Sequence, residues 1–185
     1  MPQHVFETGS SLPAPGVEDG PVLECSLRGS PNDRPLRIRA RRRYAASRDE
    51  VFAAWTSRLA WDSWMRLRAR SRSSVAPYRG GAFRLELAEG PTISIVTGTF
   101  LELRAPESLT LGWQHHGAEH GSIVDVSLRT RFERTELALT HSQISSRREA
   151  AWLMRLWTLA LRRLDGYLSA PTVTHASEPR VQRAS

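Results

Sequence analysis

The residues best equipped for chemistry in this 185-residue chain are its histidines. His115, His116 and His120 crowd into one short stretch, while His141 and His175 stand apart. A zinc site wants three or four ligands at fixed spacing, usually with a thiolate or carboxylate among them. The crowded histidines instead begin a glycine-containing segment that reads as a hairpin tip, where exposed imidazoles are ordinary. Neither a metal nor another cofactor is expected. No serine has the strand-turn-helix setting of a nucleophile elbow, and Asp125 falls on the outward phase of its strand. Cys25 is the only cysteine, so an intramolecular disulfide and a Cys-based cluster within one chain are both excluded. What remains is the makeup of a small-molecule pocket, polar groups set among apolar walls. Candidates for orienting a ligand are Tyr78, Thr97, Thr99, His115 and His141, and candidates for the walls are Phe83, Leu101, Trp113, Leu139 and Trp157.

Alternation and capping signals show which elements must carry these residues. Leu36, Ile38 and Ala40 alternate with Arg37, Arg39 and Arg41, the period of a half-buried strand with an arginine face. Ser47-Arg48-Asp49-Glu50 is a capping box and predicts a helix carrying Val51, Phe52, Ala54 and Trp55. Leu59, Trp61 and Trp64 extend it into a second short helical turn. Five alternating segments follow and predict an antiparallel meander. Their inward rows read as Phe83, Leu85 and Leu87; then Ile93, Ile95, Thr97, Thr99, Leu101 and Leu103; then Leu109, Leu111, Trp113 and His115; then Val124, Val126 and Leu128; then Leu137, Leu139 and His141. A second capping box, Ser146-Arg147-Arg148-Glu149, opens a long helix that runs to about Leu168 before Pro171. Its apolar face holds Leu153, Leu156, Trp157, Ala160, Leu164, Tyr167 and Leu168, with Arg148, Arg155 and Arg162 on the solvated side.

Composition bounds the rest. Residues 1–36 hold six of the eleven prolines and no sustained periodicity, so we expect a disordered or loosely packed arm there, a domain over 37–170 and a disordered tail over 171–185. The formal charge is +7 and all 26 basic residues are arginine, a pattern that a GC-rich coding bias produces without functional demand. Selection for phosphate binding would produce it too, and any nucleic-acid binding through the arginine faces is expected to be weak and salt-dependent. With neither a signal-like start nor an apolar run of membrane length, a cytoplasmic protein without membrane association is expected.

The order strand, two short helices, antiparallel strands and one long terminal helix resembles the START/Bet v 1-like (SRPBCC) superfamily. Within it, "AASRDEVFAAWT", ending in Ala54-Trp55-Thr56, is similar to the opening of the family named for the activator of heat shock protein 90 ATPase. "RGGAFRLEL", "GTFLELRAPESLTLGW", "TELALTHSQ" and "LWTLALRRLDGYL" resemble its later motifs in order, over roughly residues 37–169. The resemblance implies an α+β helix-grip fold, a curved antiparallel sheet wrapped around the C-terminal helix with a ligand cavity between them. Leu156 stands before Trp157 where the family commonly has glycine, which implies a smaller cavity. It further implies a non-catalytic carrier or sequestering protein for an apolar, polycyclic small molecule, as in enediyne-type antibiotic self-resistance or biosynthesis. A chaperone partner is not expected. A polyketide aromatase or cyclase, with His115 or Tyr78 moving protons, and an arginine-rich nucleic-acid or protein-partner module are the alternatives.

Overall fold

The computed structural model describes residues 22–24, 36–65, 72–89 and 91–170. Their order is β1 (Val22–Glu24), β2 (Leu36–Tyr44), α1 (Arg48–Thr56), α2 (Arg58–Trp64), β3 (Arg72–Val75), β4 (Ala82–Glu89), β5 (Thr92–Arg104), β6 (Ser108–His115), β7 (Ser122–Arg131), β8 (Arg134–Ile144) and α3 (Arg147–Ser169). The strands form one antiparallel sheet in the order β1-β2-β8-β7-β6-β5-β4-β3, closed over α3 in the helix-grip manner. The expected arm over 1–36 and tail over 171–185 lie outside the described residues, apart from Leu36 and from Val22–Glu24, which pair with Arg39–Arg41 of β2.

Local chemistry explains the helices. Ser47 caps α1 with both halves of the capping box, its hydroxyl accepting the Glu50 amide while the Glu50 carboxylate accepts the Ser47 amide at 2.7 Å. Those bonds hold the Glu50 carboxyl below its usual pKa. Ser57 ends α1 and caps α2. At α3 only half of the expected box forms. The Ser146 hydroxyl accepts the Glu149 amide at 3.1 Å, but the Glu149 carboxylate turns one residue further back and takes the amide and hydroxyl of Ser145.

Sheet phase follows the expected rows on β2, β4, β6, β7 and β8, and reverses on β5. Val96 and Phe100 are buried there, whereas Thr97 and Leu101 are exposed and Thr99 is half-buried on the outer side. Register decides this, because Phe83 and Trp113 on the flanking strands both stand opposite Gly98, which has no side chain to compete for the inner space. A bulge between Phe100 and Glu102 then returns Leu103 to the inside, opposite Leu109. The odd-numbered apolar residues of β5 therefore mislead any reading by alternation alone. The short polar strand β3 also gave no apolar signal.

The β7–β8 hairpin turns through two residues with left-handed backbone, Phe132 at φ 48° and Glu133 at φ 60°. Left-handed conformation costs an L-residue roughly 1–2 kcal/mol, and asparagine tolerates it best among residues with side chains. Phe132 buries nothing in return, being 94% exposed. Phe132→Asn is therefore expected to stabilise the protein by about 1 kcal/mol, read as a higher urea midpoint with an unchanged slope.

Candidate functional site

The space between sheet and α3 is filled by rings. Trp64 lies 4.8 Å from Trp55, which stacks on Trp157 at 6.0 Å. Trp157 in turn lies 5.3 Å from Trp113, Trp113 5.7 Å from Phe83, and Phe83 5.2 Å from Trp61. All six are buried, as are Leu139 and Leu156. The expected wall residues Phe83, Trp113, Leu139 and Trp157 thus do meet, but they pack against one another as core. Trp61 and Trp64 donate their indole N–H groups to the carbonyls of Trp55 and Ala54 at 2.7 and 2.9 Å. The indole nitrogens of Trp55 and Trp113 have no partner among the described residues.

His141 belongs to this core and not to a ligand surface. It is fully buried on β8, and donor accounting fixes its tautomer. The Trp157 indole can only donate, so Nδ1 of His141, 3.0 Å away, must accept and carry no proton. Nε2 then holds the proton of the neutral ring and donates to Oγ of Ser122 at 2.7 Å, leaving the Ser122 hydroxyl to donate to the Trp113 carbonyl at 3.2 Å. Burial without a charged neighbour pushes the His141 pKa down to about 3. A ring engaged at both nitrogens and held neutral is a structural tie between β8, β7 and α3, with no lone pair left for general-base work.

Four other expected site residues lie elsewhere. Tyr78 is 64% exposed in the turn before β4, because Tyr78 and Gly81 amides bond to Ala76 and Tyr78 carbonyls and curl the chain with the phenol outside. Thr97 and Leu101, with Thr99, sit on the outer face of the sheet around Gly112, for the register reason given above.

One cleft does open at an end of the grip, between the β6–β7 turn and the first turns of α3. It encloses about 530 Å³. His115 ends the inner row of β6 there and stacks on Trp152 of α3, centroids 4.2 Å apart and planes 20° from parallel. Glu149 and Ser145 contribute to its wall, with Arg148 and Arg155 alongside. Glu149 is 7% exposed; its Oε2 is held by Ser145, while Oε1 is buried without a hydrogen-bond partner among the described residues. Of the candidate residues, only His115 lines this cleft. Trp152 was missed because it sits at the border of the apolar stripe, though its spacing from Glu149 and Leu156, three before and four after, places all three on one helix face. Among the described residues no three His, Cys, Asp or Glu side chains gather to hold a metal ion. Nor, among the described residues, is any helix long and apolar enough to cross a membrane.

A family model described as activator of Hsp90 ATPase homolog 1-like protein matches residues 45–169. The chain belongs to this family. Its Hsp90-activator-homologue fold, that of the SRPBCC superfamily, recurs in CalU16 from Micromonospora echinospora, 25% identical over 81% of this chain and 85% of that one, with a TM-score of 0.59. DynU16, described as a protein of the dynemicin biosynthetic locus, is 23% identical over 72% of this chain and 47% of its own, with a TM-score of 0.59. An HSP90 activator from Plasmodium falciparum is 20% identical, covering 75% of this chain and 99% of that chain, with a TM-score of 0.60. No curated protein matches the chain in sequence.

Proposed function

We propose that this Hsp90-activator-homologue domain binds a flat, mainly apolar small molecule, without transforming it, in the cleft at the N-terminal end of α3. The observation that carries this is the His115–Trp152 stack, an imidazole at the end of a strand lying face to face with an indole where both line the cleft. A polycyclic ring that displaces the imidazole buries apolar area against Trp152 that the imidazole covers less well. The rim arginines Arg148 and Arg155 suit carbonyl or acidic substituents on such a ring.

Sequestration of a polycyclic natural product, in antibiotic biosynthesis or enediyne-type self-resistance, is the role that fits this site. Similarity to CalU16, and to a protein of the dynemicin locus, supports it. A cyclase would use His115 or Tyr78 to move protons; Tyr78 does not line the cleft, so that reading falls to His115 alone, whose ring is stacked on Trp152. The Plasmodium activator shares the fold at 20% identity, which is no support for a chaperone partner here.

Native mass spectrometry against a panel of polycyclic aromatic polyketides tests the proposal. At least one should bind stoichiometrically and leave unchanged in mass. Trp152→Ala should weaken that binding at least tenfold, the worth of about 1.4 kcal/mol of stacking and burial, while circular dichroism stays native. Binding that survives Trp152→Ala would remove the cleft from consideration. Turnover of the bound compound would replace the carrier with an enzyme.

A further inference from the structure

The outer face of β2, β8 and β7 has no role in the cleft, yet two unfavourable features converge on it. Arg39, Arg41 and Arg43 stand at every second residue of β2, outside the buried row of Ile38, Ala40 and Tyr44. Strand geometry spaces them about 7 Å apart. Register extends the row sideways, since Arg43 is opposite Glu136 and Glu136 opposite Arg129. One step on, Arg131 stands directly opposite Arg134, a like-charge pairing that weakens a sheet. Carboxylates compensate little. Glu136 approaches Arg43 at 3.7 Å, Asp125 accepts the Thr110 hydroxyl, and Glu24 is in register with Arg39. No carboxylate among the described residues forms an ion pair with Arg41, Arg129 or Arg131.

The second feature is Phe132, at the tip where this arginine field ends. It is almost wholly exposed, on left-handed backbone that phenylalanine disfavours. Neither packing nor turn chemistry explains an aromatic ring there.

We propose that this face is a docking track for single-stranded nucleic acid, with phosphates on the arginine row and a base stacked on Phe132. Arginine is the chain's only basic residue, so the choice of guanidinium carries no weight; its linear placement beside an exposed ring does. A positively charged track ending in an aromatic platform is how sequence-tolerant single-strand binders work. A duplex offers no free base face to Phe132, and one apolar side chain is little to insert in a membrane.

Fluorescence anisotropy of a labelled 15-nucleotide oligothymidine with the full chain decides the matter. Log affinity should fall with log salt at a slope of about −3, the value for roughly four phosphate contacts on a single strand. Arg39→Ser combined with Arg41→Ser should reduce that slope by about 1.4, and Phe132→Ser should lower affinity about tenfold with the slope unchanged. Both variants alter exposed side chains, so native circular dichroism is expected throughout. No binding at 50 mM salt would overturn the proposal. So would equal affinity for a 15-base-pair duplex with no effect of Phe132→Ser, or Phe132-dependent binding to phosphatidylserine vesicles without binding to oligothymidine. None of these results bears on the cleft, which lies at α3.

Discussion

Alanine at Gly98 is expected to cost the fold about 3 kcal/mol or more, a large fraction of the stability of an ordinary domain. A methyl group there would lie 2.0 Å from the Gly112 carbonyl oxygen and 2.3 Å from the Phe83 ring. The ring can yield through a rotamer change, but the oxygen belongs to the β6 backbone and can yield only if β5 and β6 separate. Gly112→Ala is the control. Its methyl would meet nothing closer than the Leu101 side chain at 3.7 Å, ordinary contact on the outer face, so its effect should stay within about 0.5 kcal/mol. Urea denaturation of the two variants separates these outcomes, and equal midpoints would show that the β5–β6 packing is looser than described.

His141→Leu should cost about 3 kcal/mol at pH 7, because leucine fills the space but leaves the Trp157 indole N–H without an acceptor and the Ser122 hydroxyl without one of its partners. Its pH signature is more diagnostic than its size. The folded ring titrates near 3, well below the ordinary value of 6.5. Between those values the unfolded chain binds a proton that the folded chain refuses, so acid favours unfolding. Wild-type stability should therefore fall by about 1.4 kcal/mol per pH unit from this group alone as pH drops from about 6 toward 4, with no contribution above the unfolded pKa. The leucine variant lacks that slope, and the two stability curves should draw together in acid. Parallel curves would mean that His141 is charged in the fold. A ¹⁵N spectrum at pH 5 gives an independent check, with Nε2 protonated and Nδ1 bare.

Local chemistry was legible in the sequence and register was not. The α1 capping box rests on atoms three residues apart, so Ser47 and Glu50 announced it. The inward rows of β6, β7 and β8 were legible because leucine and valine mark every second position without interruption. On β5 the inner row contains Gly98, which carries no hydrophobic signal, and a bulge breaks the period, so Thr97, Thr99 and Leu101 were placed on the wrong face. The cleft was legible only through His115. Its other half, Trp152 with Glu149, arrives from a helix more than thirty residues away, and no periodicity records where a hairpin tip meets a helix start. Glu149 was read as half of a capping box, a local role that its carboxylate gives up in favour of Ser145.

Trp157, Leu161 and Asp165 are successive steps of four along α3, and each bonds to the sheet: the indole to His141, the Leu161 carbonyl to the Tyr44 hydroxyl at 3.1 Å, and the Asp165 carboxylate to Arg42 at 2.8 Å. Apolar contacts tolerate a helix that slides or rolls by a fraction of a turn, whereas three directional rungs do not. The rungs act as a vernier that sets the axial position and rotation of α3, and burial keeps the Tyr44 rung protonated by raising its pKa. All three lie on the C-terminal side of Trp152. The width of the cleft is thus gauged from the distant end of the helix, and a change at Arg42 or Asp165 would be felt as a misaligned Trp152 about 20 Å away along the axis.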